Sequence, residues 1–422
     1  MAPLPSAKTT PRLTYAFHMQ AWKRAFLCRY FPERRFLFVP FHLSHDDLTR
    51  TVLGAIDPVQ KPDFFVWSVN LPDAARDFAA RHAIDVFYVE DGFIRSAVPQ
   101  AGRTPPLSLI VDSRTPYFDS RSPSDLEILL ATYDFDGNPL LMQRAESAMA
   151  TLRREGIGKY NGGAVSGRPL YGEKTRRRVL VLGQVDGDAS IRYGSDAPIT
   201  NDALVRLAAA DRPDAEIIYK PHPDVLAGVR SSGAKLEELS RIATILKARA
   251  PLAEALKTVD HVYAMTSLGG FEALMRGIPV TVTGLPFYAG WGLTDDRHPS
   301  PRRTRRLTLA KLFAGAYLLY PLYFDPDTGE RTSFDQVIRT LHRRLAPAFE
   351  GPESDAARRD AFGRFGWRRC FSPLVSAIIR QVGTEEDARY FAAFPADFFR
   401  ERPERSLRRI GRCLYPSSQT RT

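Results

Sequence analysis

Two compact apolar runs, residues 179–182 and 216–219, break off into segments that carry chemistry. The first gives way to Gly183-Gln184-Val185-Asp186-Gly187-Asp188-Ala189-Ser190, the second to Lys220-Pro221-His222-Pro223. Short apolar runs without polar alternation suit strands buried on both faces, as in a parallel sheet. In open α/β sheets the crevice beyond the carboxyl ends of such strands gathers backbone amides, helix starts and loop side chains around one spot. A carboxylate, a lysine and a histidine delivered there can handle a phosphorylated donor. An α/β fold with a ligand site at its strand ends is the first expectation.

The strand pattern occurs in two stretches. Residues 36–39, 64–69, 86–89 and 107–111 read as strands alternating with helical segments, and 179–182, 217–219, 262–265 and 280–283 repeat the arrangement, with a helical pattern over 201–210. Between them, 152–178 is rich in glycine and ends in Arg176, Arg177 and Arg178, the composition of a connection. The spacing predicts a Rossmann-like domain over 1–150, a linker over 151–178 and a second Rossmann-like domain over 179–348, the two facing a cleft. A helical, basic extension over 349–422 follows, whose Phe391, Phe394, Phe398 and Phe399 suit the core of packed helices.

Charge narrows the partners. Fifty-nine Lys and Arg against 48 Asp and Glu give a net charge of +11, a field that favours phosphates, acidic sugars or an anionic membrane surface. The arginines fall in discrete patches, with no aromatic platform for single strands and no zinc-finger spacing, so nucleic acid is not expected. Cys28, Cys370 and Cys413 are scattered and form no CxxC, which indicates neither a disulfide framework nor a zinc site. The N-terminal residues lack the continuous apolar run of a secretory signal, and the longest apolar stretch, 312–324, contains Pro321 and is shorter than the roughly 20 residues a spanning helix needs.

Several motifs supply candidate site residues. Thr266-Ser267-Leu268-Gly269-Gly270-Phe271-Glu272 runs from a strand into a helix, where free N–H groups suit an anion; a plain turn needs the same glycines. His222 stands between two prolines of fixed φ, two residues after Lys220, an arrangement preorganised for anion binding. Asp186-Gly187-Asp188 resembles an Asp-x-Asp metal motif. A nearby lysine and histidine can instead neutralise a monophosphate leaving group, freeing Asp188 to act as nucleophile or electrostatic partner at an anomeric carbon. Glu90 and Asp91, followed by Arg95, are candidate acid/base groups or a surface ion pair. Tyr288 and Trp291 offer faces to a base or sugar, or plug a loop, and the arginines at 302, 303, 305 and 306 suit a carboxylate or solvent.

Segments 88–96, 183–195, 219–230, 266–277, 284–295 and 320–326, taken together and in this order, resemble the capsule polysaccharide β-Kdo transferases of the KpsC/LipA type. The resemblance implies a GT-B-like fold, with the N-terminal domain on the acceptor side and the C-terminal domain binding the CMP-sugar. It implies a retaining transferase that moves Kdo from CMP-Kdo to a Kdo-terminated, lipid-linked acceptor, with no metal or other cofactor. Gln184 and Asp188 match the family's Gln-x-x-x-Asp motif, Asp188 as nucleophile; His222 and Pro223 match its His-Pro motif at the CMP phosphate; Thr266, Ser267 and Glu272 match its nucleotide-side turn. Double displacement with Glu90 or Asp91 as acid/base would give net retention. Ser68 departs from the glycine expected after Trp67, and many relatives carry two modules where this chain shows one set of motifs.

The expected setting is the cytoplasmic side of the inner membrane, peripheral, held by arginines between 400 and 412, beside a second capsule Kdo transferase and an export complex. Alternatives are transfer of another CMP-activated group, sialyl or glycerophosphate, and a non-catalytic assembly subunit.

Overall fold

The computed structural model describes residues 10–345 except 42, 98–103, 160, 162–169, 198, 227–234 and 248–249, together with 372–382, 391, 395–400, 407, 409 and 414–415. Two compact units form: Met1–Val86 with Ala346–Thr422, and Phe87–Leu345.

In the first unit, β1 (Arg12–Phe17) pairs in parallel with β2 (Arg34–Phe38) on one side and β3 (Asp63–Trp67) on the other. The sequence pattern located β2 and β3 but not β1. The reason is that Thr14 interrupts its apolar run, although that residue is fully buried. Across the strand starts Asp63, buried completely, accepts a hydrogen bond from Arg34 and meets Arg12 Nε at 3.0 Å, so its charge is compensated. At the other end of the chain Phe391, Phe398, Phe399 and Tyr415 pack as a small aromatic core with Ile379 on the helix Ser372–Val382. Phe394 lies outside the described residues.

The remaining strands fall in two sheets. β4 (Asp85–Asp91) and β5 (Ser108–Asp112) are antiparallel, where unbroken strand–helix alternation predicts parallel pairing. Among the described residues between them no helix occurs, and a parallel partner usually needs a helical crossover. β12 (Leu322–Phe324) adds to β5, and β13 (Arg331–Thr332) to β12, both antiparallel.

The other sheet is parallel throughout. β6 (Arg178–Leu182), β7 (Glu216–Lys220), β8 (Thr244–Ile245), β9 (His261–Ala264), β10 (Val280–Val282) and β11 (Asp295–Asp296) lie in the order β11-β10-β9-β6-β7-β8. Every residue of β6 is buried, as the apolar run 179–182 requires of a strand covered on both faces, and Arg178 at its start is paired with Glu216. Helices start where hydroxyls cap them: Thr200 Oγ1 accepts from Ala203 N, Ser124 Oγ from Glu127 N and Thr308 Oγ1 from Lys311 N. The apolar stretch 312–324 is core: the helix Leu309–Phe313 runs into a π-helical turn, Ala314–Leu319, whose Tyr317 stacks on Phe313, Phe93 and Phe271. Among the described residues no helix is long and apolar enough to cross a membrane.

The α/β class and the helical C-terminal region agree with the sequence expectation. The proposed linker over 151–178 begins inside the helix Pro139–Glu155 and includes residues outside those described.

Candidate functional site

In the parallel sheet β6 lies between β7 and β9, so strand order reverses at the β6/β9 edge, the place where open α/β sheets bind ligands. Gln184, just beyond β6, closes that edge. Its Oε1 accepts from Thr266 N at 2.9 Å, and its Nε2 donates to Thr266 Oγ1 at 2.9 Å and Ser190 Oγ at 3.3 Å. With its amide spent on these bonds and only 7% of its surface exposed, Gln184 cross-links the two strand ends. It shapes the site more than it reaches into it.

That cross-link steadies Asp188. The half-buried carboxylate accepts from Ser190 N at 2.9 Å and Ser190 Oγ at 2.8 Å, capping the helix Ala189–Tyr193, while Thr266 Oγ1 donates to Ser190 Oγ at 3.1 Å. Gly187 holds φ of 71°, the left-handed conformation that turns the chain between the two acids. Asp186 goes elsewhere: it accepts from Asn201 Nδ2 at 2.9 Å, and Asn201 also exchanges bonds with the Gln184 backbone. The two carboxylates therefore have separate partners. Asn201 and Ser190 were not singled out from sequence; the only signal for Asn201 is its place at the start of a helical pattern.

Lys220 ends β7 and is buried. Burial pushes its ammonium below the ordinary lysine range, and the Glu272 carboxylate partly offsets that. Glu272, on the helix Leu268–Leu274, is buried as well, which raises its carboxyl; Arg276, the Lys159 N–H and Lys220 pull it back. A Cβ on Gly158 would sit 2.6 Å from Glu272 Oε1, so any side chain there would displace this carboxylate. Lys159 joined this cluster only through the fold, whereas Arg276 stands one helical turn after Glu272. His222 is half-buried, and its carbonyl accepts from Val225 N and Leu226 N as the chain enters the short helix Pro223–Leu226. Thr266 is buried, and Ser267 Oγ accepts from Gly269 N at 3.2 Å.

On β4, Glu90 and Asp91 are neighbours in an extended strand and so project to opposite faces. Asp91 is paired with Arg95, whose Nε stands 3.3 Å away; Arg95 is fully buried and also donates to the Thr104 carbonyl at 2.8 Å. Arg95 thus anchors Asp91 from inside the core. Glu90 keeps a half-buried position and accepts from Asp91 N.

Tyr288 and Trp291 lie inside the core instead of presenting ring faces. Tyr288 is fully buried and donates to the Ser267 carbonyl at 2.6 Å, and a Cβ on Gly270 would meet its hydroxyl at 2.2 Å. Trp291 is 1% exposed and donates to the Phe287 carbonyl at 2.8 Å. Their contribution is to set the strand-to-helix turn at Ser267. Three of the four arginines are also structural, while Arg306 is exposed: Arg302 and Arg303 both hold Glu127, and Arg305 donates to the carbonyls of Leu130, Ala131 and Tyr133 at the end of the helix Asp125–Thr132.

Sequence comparison matches the family model described as capsule polysaccharide biosynthesis protein to residues 71–155 and 143–324. Lipopolysaccharide-processing protein LpsZ of Rhizobium meliloti is 42% identical over 325 residues, 77% of this chain and 73% of the relative. Capsule polysaccharide modification protein LipA of Neisseria meningitidis serogroup B is 39% identical over 332 residues, 78% of this chain and 45% of LipA, so the chain spans less than half of that relative. Among solved structures, the β-Kdo 2,4 transferase of Thermosulfurimonas dismutans KpsC superposes with a TM-score of 0.67 at 34% identity, over 79% of this chain and 98% of that one. The β-Kdo 2,7 transferase of the same KpsC gives 0.60 at 31%, with the same coverage.

Proposed function

The chain belongs to the capsule polysaccharide biosynthesis protein family, and from that premise we propose that it is a retaining glycosyltransferase moving Kdo from CMP-Kdo to a Kdo-terminated, lipid-linked acceptor. The observation that carries this reading is that a half-buried carboxylate on a capped turn, Asp188, follows β6 while a buried lysine, Lys220, and the Pro221-His222-Pro223 segment end its parallel neighbour β7.

In the proposed reaction an Asp188 oxygen attacks the anomeric carbon as the bond from that carbon to the phosphate oxygen breaks. CMP leaves with the electron pair, and Lys220 and His222 offset the charge gathering on its phosphate. A covalent sugar ester on Asp188 remains. The acceptor hydroxyl then attacks the same carbon, its proton passes to a carboxylate base, and Asp188 departs as a free carboxylate; two inversions give retention. We assign the base to Glu90, because Asp91 is committed to Arg95. Lys220 and His222 supply the positive charge a metal would otherwise bring, so no metal is invoked.

The test is incubation of purified protein with CMP-Kdo and a Kdo-terminated glycolipid analogue. Release of CMP with extension of the acceptor, the anomeric configuration retained, is the expected outcome. Hydrolysis or transfer with CMP-sialic acid or CDP-glycerol instead would move the donor assignment, and no turnover with any of them would leave the assembly-subunit reading.

A second measurement isolates Lys220. Its lowered range means that the folded site loses this proton earlier than free lysine does. CMP affinity should therefore weaken as pH rises from neutral toward the ordinary lysine range, and Lys220→Met should bind CMP weakly at every pH without that fall. A wild-type affinity that stays flat across the window contradicts a phosphate role for Lys220.

We place the protein at the inner face of the inner membrane. Support comes from the net charge of +11 and from Leu374 and Ile378, exposed one turn apart on the helix Ser372–Val382; the arginines at 402, 405, 408 and 412 lie outside the described residues. A second capsule Kdo transferase and an export complex are the proposed partners.

A further inference from the structure

The parallel strands of the first unit run in the order β2-β1-β3. The chain leaves β1 for β2 on one side and comes back for β3 on the other, so a second strand-order reversal lies between the carboxyl ends of β1 and β3. Unusual residues gather there. His18, directly after β1, and Ser68, directly after β3, both hold φ of 58°. That left-handed conformation costs a residue with a Cβ on the order of 1–2 kcal/mol, and strain of this kind concentrates at ligand sites.

Lys23, on the helix Ala21–Tyr30 that follows β1, is one of two lysines buried among the described residues; the other is Lys220. Its ammonium stands 3.1 Å from the centroid of the Trp67 ring and 5.5 Å from that of Trp22. Both indoles are half-buried, and Trp22 donates its Nε1–H to Gln20 Oε1 at 2.8 Å. Indole faces suit the apolar face of a sugar ring. A cation held in low dielectric between them attracts an anion more strongly than the same group in water does.

We propose that this crevice binds an acidic sugar, its carboxylate directed to Lys23 and its ring lying against Trp22 and Trp67. Resting on the transferase reading above, the inference identifies that sugar as an acidic residue of the acceptor chain.

The probe is a Kdo disaccharide glycoside, titrated without donor and followed by tryptophan fluorescence and calorimetry, with a neutral disaccharide as control. Wild-type protein is expected to bind the acidic sugar and not the neutral one. Lys23→Met, which keeps the stem packed on Trp67, should weaken binding about 10-fold or more, as loss of a hydrogen bond to a charged group does. Gln20→Glu preserves the acceptor for Trp22 Nε1 and sets a like charge beside the ligand, so it should weaken binding comparably and serves if Lys23→Met does not fold. CMP affinity should stay unchanged in both. Equal affinity in a folded variant, or no saturable binding by the wild type, overturns the site. The two readings separate: transfer by the wild type with an unaltered acceptor KM in the variants refutes only the crevice, whereas Lys23-dependent binding without transfer refutes only the reaction.

Discussion

Asp188→Asn should lower the rate of Kdo transfer by roughly 10⁴-fold or more while leaving the protein folded and able to bind CMP, because removing a covalent nucleophile leaves only binding and electrostatic contributions. The amide is a suitable control for structure. Asp188 caps the helix Ala189–Tyr193 through Ser190 N and Ser190 Oγ, and asparagine caps as well as aspartate. Asp188→Ala removes that cap too and should cost about 1 kcal/mol of stability in addition to activity. Intact-mass measurement offers an independent view: with CMP-Kdo alone, Glu90→Gln should accumulate a sugar ester at Asp188, since the second displacement lacks its base. An Asp188→Asn enzyme retaining more than about a tenth of wild-type turnover, far above what loss of a nucleophile permits, would dismiss the double displacement.

Glu127→Ala should be the most destabilising of the changes considered, by about 3–5 kcal/mol, because it leaves a buried cation without its counter-charge. Glu127 Oε1 accepts from Arg302 Nε at 2.7 Å and Oε2 from Arg303 Nε at 3.0 Å. Arg303 is 6% exposed; burial lowers its guanidinium from the usual range and the Glu127 charge opposes that. It also donates to the carbonyls of Pro286 and Ala289, so the clamp ties the helix Asp125–Thr132 to the loop that carries Tyr288. Thermal unfolding followed by circular dichroism should show the transition of the second unit falling by about 10 °C, the shift expected for a unit of this size. Arg302→Ala, at the more exposed arm of the clamp, should cost far less. A loss under about 1 kcal/mol for Glu127→Ala, typical of a solvated pair, would show that solvent already screens the cluster.

The parts of the site nearest to a strand end were the most legible. A fully apolar run such as residues 179–182 of β6 announces a strand buried on both faces, and the polar residues that follow must lie at its carboxyl end; Gln184, Asp188, Lys220 and Thr266 were placed by that rule. Roles were less legible than positions. Gln184 reads as a ligand contact from sequence, yet its amide is consumed by Ser190, six residues on, and by Thr266, which reaches it only because β9 lies beside β6. Tyr288, Trp291 and the arginine run look like binding residues because aromatic and guanidinium groups serve both recognition and packing. Only enclosure distinguishes the two uses. Ser68 looks like a simple departure from glycine until its φ of 58° marks the position as one that demands left-handed backbone.

Local composition determined the α/β class, the strand ends and the residue types gathered at them, because hydrophobic periodicity and turn chemistry act over a few neighbouring residues. Tertiary structure alone decided that β5 pairs antiparallel, that the Lys159 N–H and the Lys220 charge act on the Glu272 carboxylate, and that Lys23 lies on Trp67. Those contacts join residues far apart in the chain. Their charge states and roles follow from burial and proximity, which arise only when the sheets and helices close around them.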